Sequence, residues 1–319
     1  MTIIDLFSIF FFLELFFIII IFFLKSKKIP WIITSKDKTP TFSKVRIDEF
    51  IKKKFNYHLG WDWKKPRSKI TNKEKIASFG DSFVYCRYSS KNKTWQSIFK
   101  KKTKLPIINY GVGNHGLDQI LLKYEKTKLP KSVKYIIIGF VPETLSRCLS
   151  SWRHYYEFNN IFGFKPRFKI KKGNLIKISN PIKDVNSFSN IGSIISKLQI
   201  DEFFFKKRFM KYCLSFPYSF SFIKNFNYNF HLFLNSFLYL FGINKNRLFD
   251  FIISRNCLLN DSLYNNKEYK KLIRKMIKEF YNIAKKRRHK IKFIIFPQKY
   301  DLISKNYNCE TFFNINHYI

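Results

Sequence analysis

The chain has 319 residues, room for one large domain with additions or two small ones. Lys and Arg outnumber Asp and Glu by 60 to 21, a formal charge of +39 that by itself suggests a polyanion or an anionic membrane. The basic residues are nevertheless scattered rather than striped, and alanine occurs only at Ala77 and Ala284 among abundant Lys, Asn, Ile, Phe and Tyr, the bias of AT-rich codons, so no specific nucleic-acid partner is expected.

The N-terminal run IIDLFSIFFFLELFFIIIIFFL, Ile3 to Leu24, reaches the length of about 20 apolar residues that a bilayer requires, although Asp5 and Glu14 interrupt it. No Lys or Arg precedes it, it is too long for the apolar core of a cleaved signal peptide, and no small-residue cleavage site follows. Residues 1–25 are therefore expected to form an uncleaved single-pass anchor, with a buried core helix as the alternative. Lys25, Lys27 and Lys28 favour a cytoplasmic body by the positive-inside rule, but lysine is spread along the whole chain, so the membrane side stays open.

Residues 26–72 are polar, punctuated by Pro30, Pro40 and Pro66, and read as a stalk leading to the domain edge. From residue 73 the pattern changes. KIASFGDS ends an apolar run in a Gly-Asp-Ser turn; a helical segment around Trp95, Ile98 and Phe99 follows, then the strand-like PIINYGV, a helix carrying Leu117, Ile120 and Leu121, and the strand-like VKYIIIGFV. Apolar strands alternating with helices predict an α/β fold with a parallel sheet covered on both faces. About residues 142–261 break the pattern and read as an insertion, in which Phe230 to Ile243 is too short to span a bilayer and is expected to be a buried or interfacial helix. The pattern resumes with an amphipathic helix through Tyr269, Leu272, Ile273, Met276, Ile277, Phe280 and Ala284, delivering the chain into a fourth strand, KIKFIIFPQ.

Two loops carry the chemistry. IINYGVGNHGLDQILL contains G-x-G-x-x-G in Gly111, Gly113 and Gly116, a pattern that serves a dinucleotide or any site where backbone N–H groups approach negative charge. A dinucleotide fold places it after the first strand with an acidic residue about 20 positions later. Here it follows the second, so no nicotinamide or flavin cofactor is expected. The five cysteines, Cys86, Cys148, Cys213, Cys257 and Cys309, have no C-x-x-C spacing and no paired framework, which argues against a metal or a disulfide scaffold. The other loop, FGDSF, puts Ser82 on the turn after the first strand, where a parallel sheet presents reactive groups. Its alternative is an ordinary turn with a helix N-cap.

FGDSF followed by NYGVGNHGLDQ resembles the first two blocks of the SGNH, or GDSL-type, hydrolase superfamily, and IIIGFVPETLSRCLSSWRHYYEF with FKPRF is similar to a membrane-anchored bacterial branch of it. The resemblance spans about Trp61 to Asp301. It implies a three-layer flavodoxin-like hydrolase domain over residues 73–319, acting on an acylated small molecule or an acylated envelope glycan by ester hydrolysis or acyl transfer, without a cofactor. Ser82 would be the nucleophile, and the oxyanion would be held by the Ser82 N–H, an N–H of the Gly113–Asn114 turn and a side chain of the third block.

Two departures weaken the chemistry. Glu143 stands near the place of the usual third-block Asn, so it is structural or Asn114 supplies the side-chain donor. The closing Asp-x-x-His is missing: His317 has no Asp three positions earlier, leaving His115 and His154 as base candidates or as polar packing residues. The expectation is an impaired esterase. A non-catalytic SGNH-like binder of glycan or protein, and a basic membrane-tethered polyanion binder, are the alternatives.

Overall fold

The computed structural model describes residues 2–29, 31–63, 65–244 and 246–303; His317 and Cys309 lie outside them. Along the chain the elements that position the site are α1 (Ile3–Ser26), β1 (Ile76–Gly80), α2 (Ser82–Tyr85), α3 (Trp95–Thr103), β2 (Ile107–Asn109), α4 (Leu117–Lys126), β3 (Tyr135–Phe140) and α5 (Thr144–Leu149). After them come α6 (Tyr218–Lys224), α7 (Phe226–Leu240), α8 (Asn246–Tyr264), α9 (Lys267–Lys286) and β4 (Lys290–Ile295).

They divide into two compact units. One is built from the chain up to Phe42, Trp152–Phe162 and Gly192–Arg255; the other from Ser43–Ser151, Gly163–Ile191 and the described residues from Asn256 onward. The segment read as one insertion is thus shared. Its α5 and a hairpin of Arg167–Lys171 with Asn174–Ile178 stay with the sheet, while Trp152–Phe162, α6 and α7 join the N-terminal segment. The stretch read as a stalk divides too, at Phe42.

The second unit holds a four-stranded, wholly parallel sheet in the order β2-β1-β3-β4. β1 is central and buried at every position, because Ile76, Ala77 and Phe79 face helices on both sides, and its register sets Gly80 opposite Gly139. Right-handed crossovers place α3 and α4 on opposite faces. α9 packs against α4 through the apolar stripe that the sequence displays, with Leu272, Ile273, Met276, Ile277 and Phe280 all buried. Coverage on both faces fails at β4: Lys290 and Lys292 are exposed while Ile291 is buried, so this strand is covered on one face only. Among the described residues it is also an edge, and its lysines blunt pairing with another chain.

In the first unit, the C-terminal half of α1 is part of a core. Phe17, Ile21 and Leu24 pack with Phe222, Leu232 and Phe233 of α6 and α7. The N-terminal half is exposed and, apart from Asp5 and Ser8, apolar. Asp5 closes a capping box with Thr2, so the first interruption of the apolar run is a helix start. The second, Glu14, is buried and accepts hydrogen bonds from Tyr218 N at 2.6 Å and Ser219 N at 2.8 Å.

Candidate active site at the carboxyl edge of the sheet

β1 and β2 are parallel neighbours, so the Gly80-Asp81-Ser82 turn and the glycine loop leave the same edge, and Val112 N donates to Gly80 O at 2.9 Å. Asn109, buried, joins them: its amide donates to Val84 O at 2.8 Å and its carbonyl accepts from Gly111 N at 2.9 Å. The three glycines have different reasons. A Cβ on Gly111 would lie 2.4 Å from Tyr85 N, and one on Gly116 would lie 2.9 Å from Arg147 Cβ, so both are demanded by close packing of the chain on itself. A Cβ on Gly113 would meet nothing within 4 Å, and Asn114 beside it takes the left-handed φ of 65°. That open corner is the part of the loop left for chemistry.

The start of α4, which a dinucleotide fold would turn toward a pyrophosphate, is already satisfied. Leu117 N donates to Thr144 Oγ1 at 2.7 Å, Gly116 N to Gln119 Oε1 at 3.3 Å and Gln119 N to Asp118 Oδ1 at 2.8 Å. Three N–H groups at this helix start thus have internal acceptors.

Asp81 is fully buried and does not act at the surface of the site; it caps α2 by accepting from Phe83 N at 2.9 Å and reaches the third loop by accepting from Val141 N at 2.9 Å. The capping reading of Gly-Asp-Ser thus holds at Asp81. Arg147 Nη1 lies 3.5 Å from Asp81 Oδ2 and donates to His115 O at 3.2 Å, while Nη2 donates to Glu143 at 2.9 Å. Glu143 also accepts from Asn256 at 3.3 Å and from Gln298, just past β4, at 3.5 Å. Burial pushes the Asp81 carboxyl up, against the pull of Arg147 and the two backbone N–H groups. One guanidinium thus joins the loops after β1, β2 and β3, and through Glu143 the loop after β4. Glu143 is committed to this junction. Sequence reasoning missed Arg147, although its spacing of four from Glu143 on a helix was a visible sign.

No protein-family model, curated protein or solved structure matches the chain.

Ser82 is half-buried at the first turn of α2, and its hydroxyl makes no hydrogen bond to any described residue. The backbone N–H groups of Ser82, Gly113 and Asn114 likewise have no acceptor among the described residues. His115 shares this unit but is wholly buried: Nε2 donates to Trp61 O at 2.9 Å, since a carbonyl only accepts, and Nδ1 has no partner among the described residues. His154 belongs to the other unit, where Nε2 donates to Asp37 O at 2.7 Å. Neither imidazole is hydrogen-bonded to Ser82.

Both histidines are held neutral. Burial, with Lys123 nearby, pushes His115 well below the usual imidazole range, and burial pushes His154 down to about 4. The unfolded chain then binds more protons than the folded one below the free-imidazole value, so stability is full at neutral pH and falls as pH drops from about 6.5, by about 1.4 kcal/mol per pH unit for each histidine. By urea unfolding at pH 7 and pH 5, the loss is expected to be smaller in His154→Gln than in the parent chain; an equal loss would show that His154 titrates normally.

A groove beside β2 and α3 is lined by Lys69, Lys73, Lys75, Lys91, Lys100 and Lys104, which gathers part of the scattered positive charge around a cavity.

Proposed function

We propose that the sheet unit carries an SGNH-type acyl-ester site, with Ser82 as nucleophile and the N–H groups of Ser82, Gly113 and Asn114 as oxyanion donors, and that its turnover is impaired because no base among the described residues is hydrogen-bonded to the serine. The substrate class is an acylated small molecule or an acyl group on an envelope glycan. The observation that carries this is the coincidence, on one sheet edge, of an unbonded serine hydroxyl with backbone N–H groups that no described residue satisfies. An oxyanion hole needs such donors held ready and free of internal partners. The test is slow labelling by a fluorophosphonate: an adduct on the Ser82 peptide is expected, and none in Ser82→Ala. Labelling that survives Ser82→Ala, or no adduct after prolonged exposure, would remove Ser82 from the role.

α1 is read as the anchor that holds this site at a membrane. The described residues contain one helix long and apolar enough to cross a bilayer, and it is α1. The full chain is expected to remain in the membrane fraction through an alkaline carbonate wash; release by the wash would exclude a spanning helix.

The lysine-lined groove favours a second reading, a non-catalytic site for a polyanion. Its signature is heparin binding with a steep salt dependence that flattens in Lys91→Ala/Lys100→Ala. Salt-independent binding, or none, would leave the groove as a solvated basic surface.

A further inference from the structure

Glu14 lies about 16 Å along the axis of α1 from Lys25, at 1.5 Å rise per residue, which is half of the roughly 30 Å hydrocarbon layer. A carboxylate at that depth is costly without partners. Its partners are the first residues of α6: Tyr218 N, Ser219 N and the Ser219 hydroxyl all donate to it. Phe222 then packs on Phe17 with ring centroids 4.9 Å apart, so α6 runs alongside α1 toward its lysine end. The flanks of α6 return to that end. Leu214 N donates to Ile33 O at 2.9 Å, Ser35 N donates to Leu214 O at 3.2 Å, and the Asn225 amide donates to Lys211 O at 2.7 Å. Residues 215–224 thus leave the level of the chain that follows α1, reach the depth of Glu14 and come back.

We propose that α6 is a re-entrant membrane helix and that α7 lies along the same boundary, their outward faces covered by phospholipid acyl chains. The proposal rests on α1 being a spanning anchor. Four observations carry it beyond that. The Glu14 contacts fix α6 at a depth, rather than only near a membrane. Most of the exposed side chains of these helices are apolar: Phe216, Phe220 and Ile223 around α6 are 66%, 72% and 62% exposed, and Phe226, Phe230 and Leu234 continue the face along α7, with Lys224, Asn227 and His231 the exposed polar residues. From Tyr212 to Asn244 the sequence holds one charged residue, Lys224, in a chain whose residues are 25% charged. The non-helical turn into α6 is partly tied down internally, with Ser215 N donating to Ser221 Oγ at 3.2 Å and Ser221 Oγ to Tyr218 O at 3.1 Å, as irregular chain at membrane depth requires of its backbone groups. An apolar surface that continues that of a spanning helix, at its depth, meets lipid.

The test uses the full chain reconstituted in phosphatidylcholine vesicles, with the photoreactive residue p-benzoylphenylalanine placed singly at Phe220, Phe230, Phe11 on the open half of α1, and Tyr88, which is 94% exposed in the sheet unit. Irradiation is expected to give phospholipid adducts at Phe220, Phe230 and Phe11, identified by mass, and none at Tyr88. Adducts at Phe11 without adducts at Phe220 and Phe230 would overturn the re-entrant placement while leaving the anchor intact. Loss at all three would overturn the anchor and this proposal with it. Protein–protein adducts from Phe220 or Phe230 would assign the face to a second copy and overturn lipid as its occupant.

Discussion

Hydrolysis of p-nitrophenyl acetate by the full chain in detergent is expected to run about three to six powers of ten below that of a serine esterase with an intact triad, the scale on which triad members are lost. A serine hydroxyl at neutral pH is a weak nucleophile and needs a base that takes its proton as the carbonyl is attacked. The Ser82 hydroxyl has no hydrogen-bond partner among the described residues, and His115 and His154 spend their Nε2 protons on backbone carbonyls. What remains is the residual rate that backbone N–H donors supply to an oxyanion, with one donor worth about 3 kcal/mol. The measurement sets the full chain beside Ser82→Ala, His115→Ala and His154→Ala. Robust activity abolished by Ser82→Ala would establish a base, and whichever histidine variant matched that loss would name it.

Lys165→Met is expected to destabilise the sheet unit by about 3–5 kcal/mol, the usual cost of leaving a buried charge without its partner. Lys165 and Asp118 form an ion pair in which both side chains are wholly buried, and Lys165 Nζ donates further to Pro166 O at 3.2 Å. Asp118 sits in the first turn of α4, next to the glycine loop, so its stranded carboxylate would loosen the loop as well as the core. Adding Asp118→Leu to Lys165→Met is expected to restore most of the stability, because a well-packed apolar pair of similar volume often equals a buried ion pair. Urea titrations of the two single variants and the double variant decide it. A double variant no more stable than Lys165→Met would mean that the cost comes from packing rather than charge.

Much of the sheet was legible because its strands are short apolar runs that end in turn residues, and α9 because its apolar residues recur at one helical face. The two units were not. Each is assembled from three stretches of chain, and the contacts between the N-terminal segment and Gly192–Arg255 bridge about two hundred residues with no local sign in either partner. Glu14 illustrates the difficulty: in sequence it interrupts an apolar run, and its reason is a pair of backbone N–H groups near residue 218. In β4 the clue was present, since Lys290 and Lys292 flank Ile291, and that alternation marks a strand covered on one face. At the site, the placement of Ser82 and the Gly113–Asn114 turn follows from strand order. Arg147 and the Lys165–Asp118 pair do not, because their partners are brought together only by the folded sheet.

The junction at Arg147 also bears on motion. Because one guanidinium is shared by Asp81, His115 O and Glu143, lifting any one of these loops strips a partner from a buried charge, so the loops have little freedom to breathe separately. The amides of Phe83 and Val141, which sit on different loops yet donate to the same carboxylate, should exchange with solvent deuterium in step, as parts of one opening event. A ligand that settles against Ser82 would then meet an edge that is either closed as a whole or open as a whole, and its binding would be gated by a single equilibrium instead of by independent flaps.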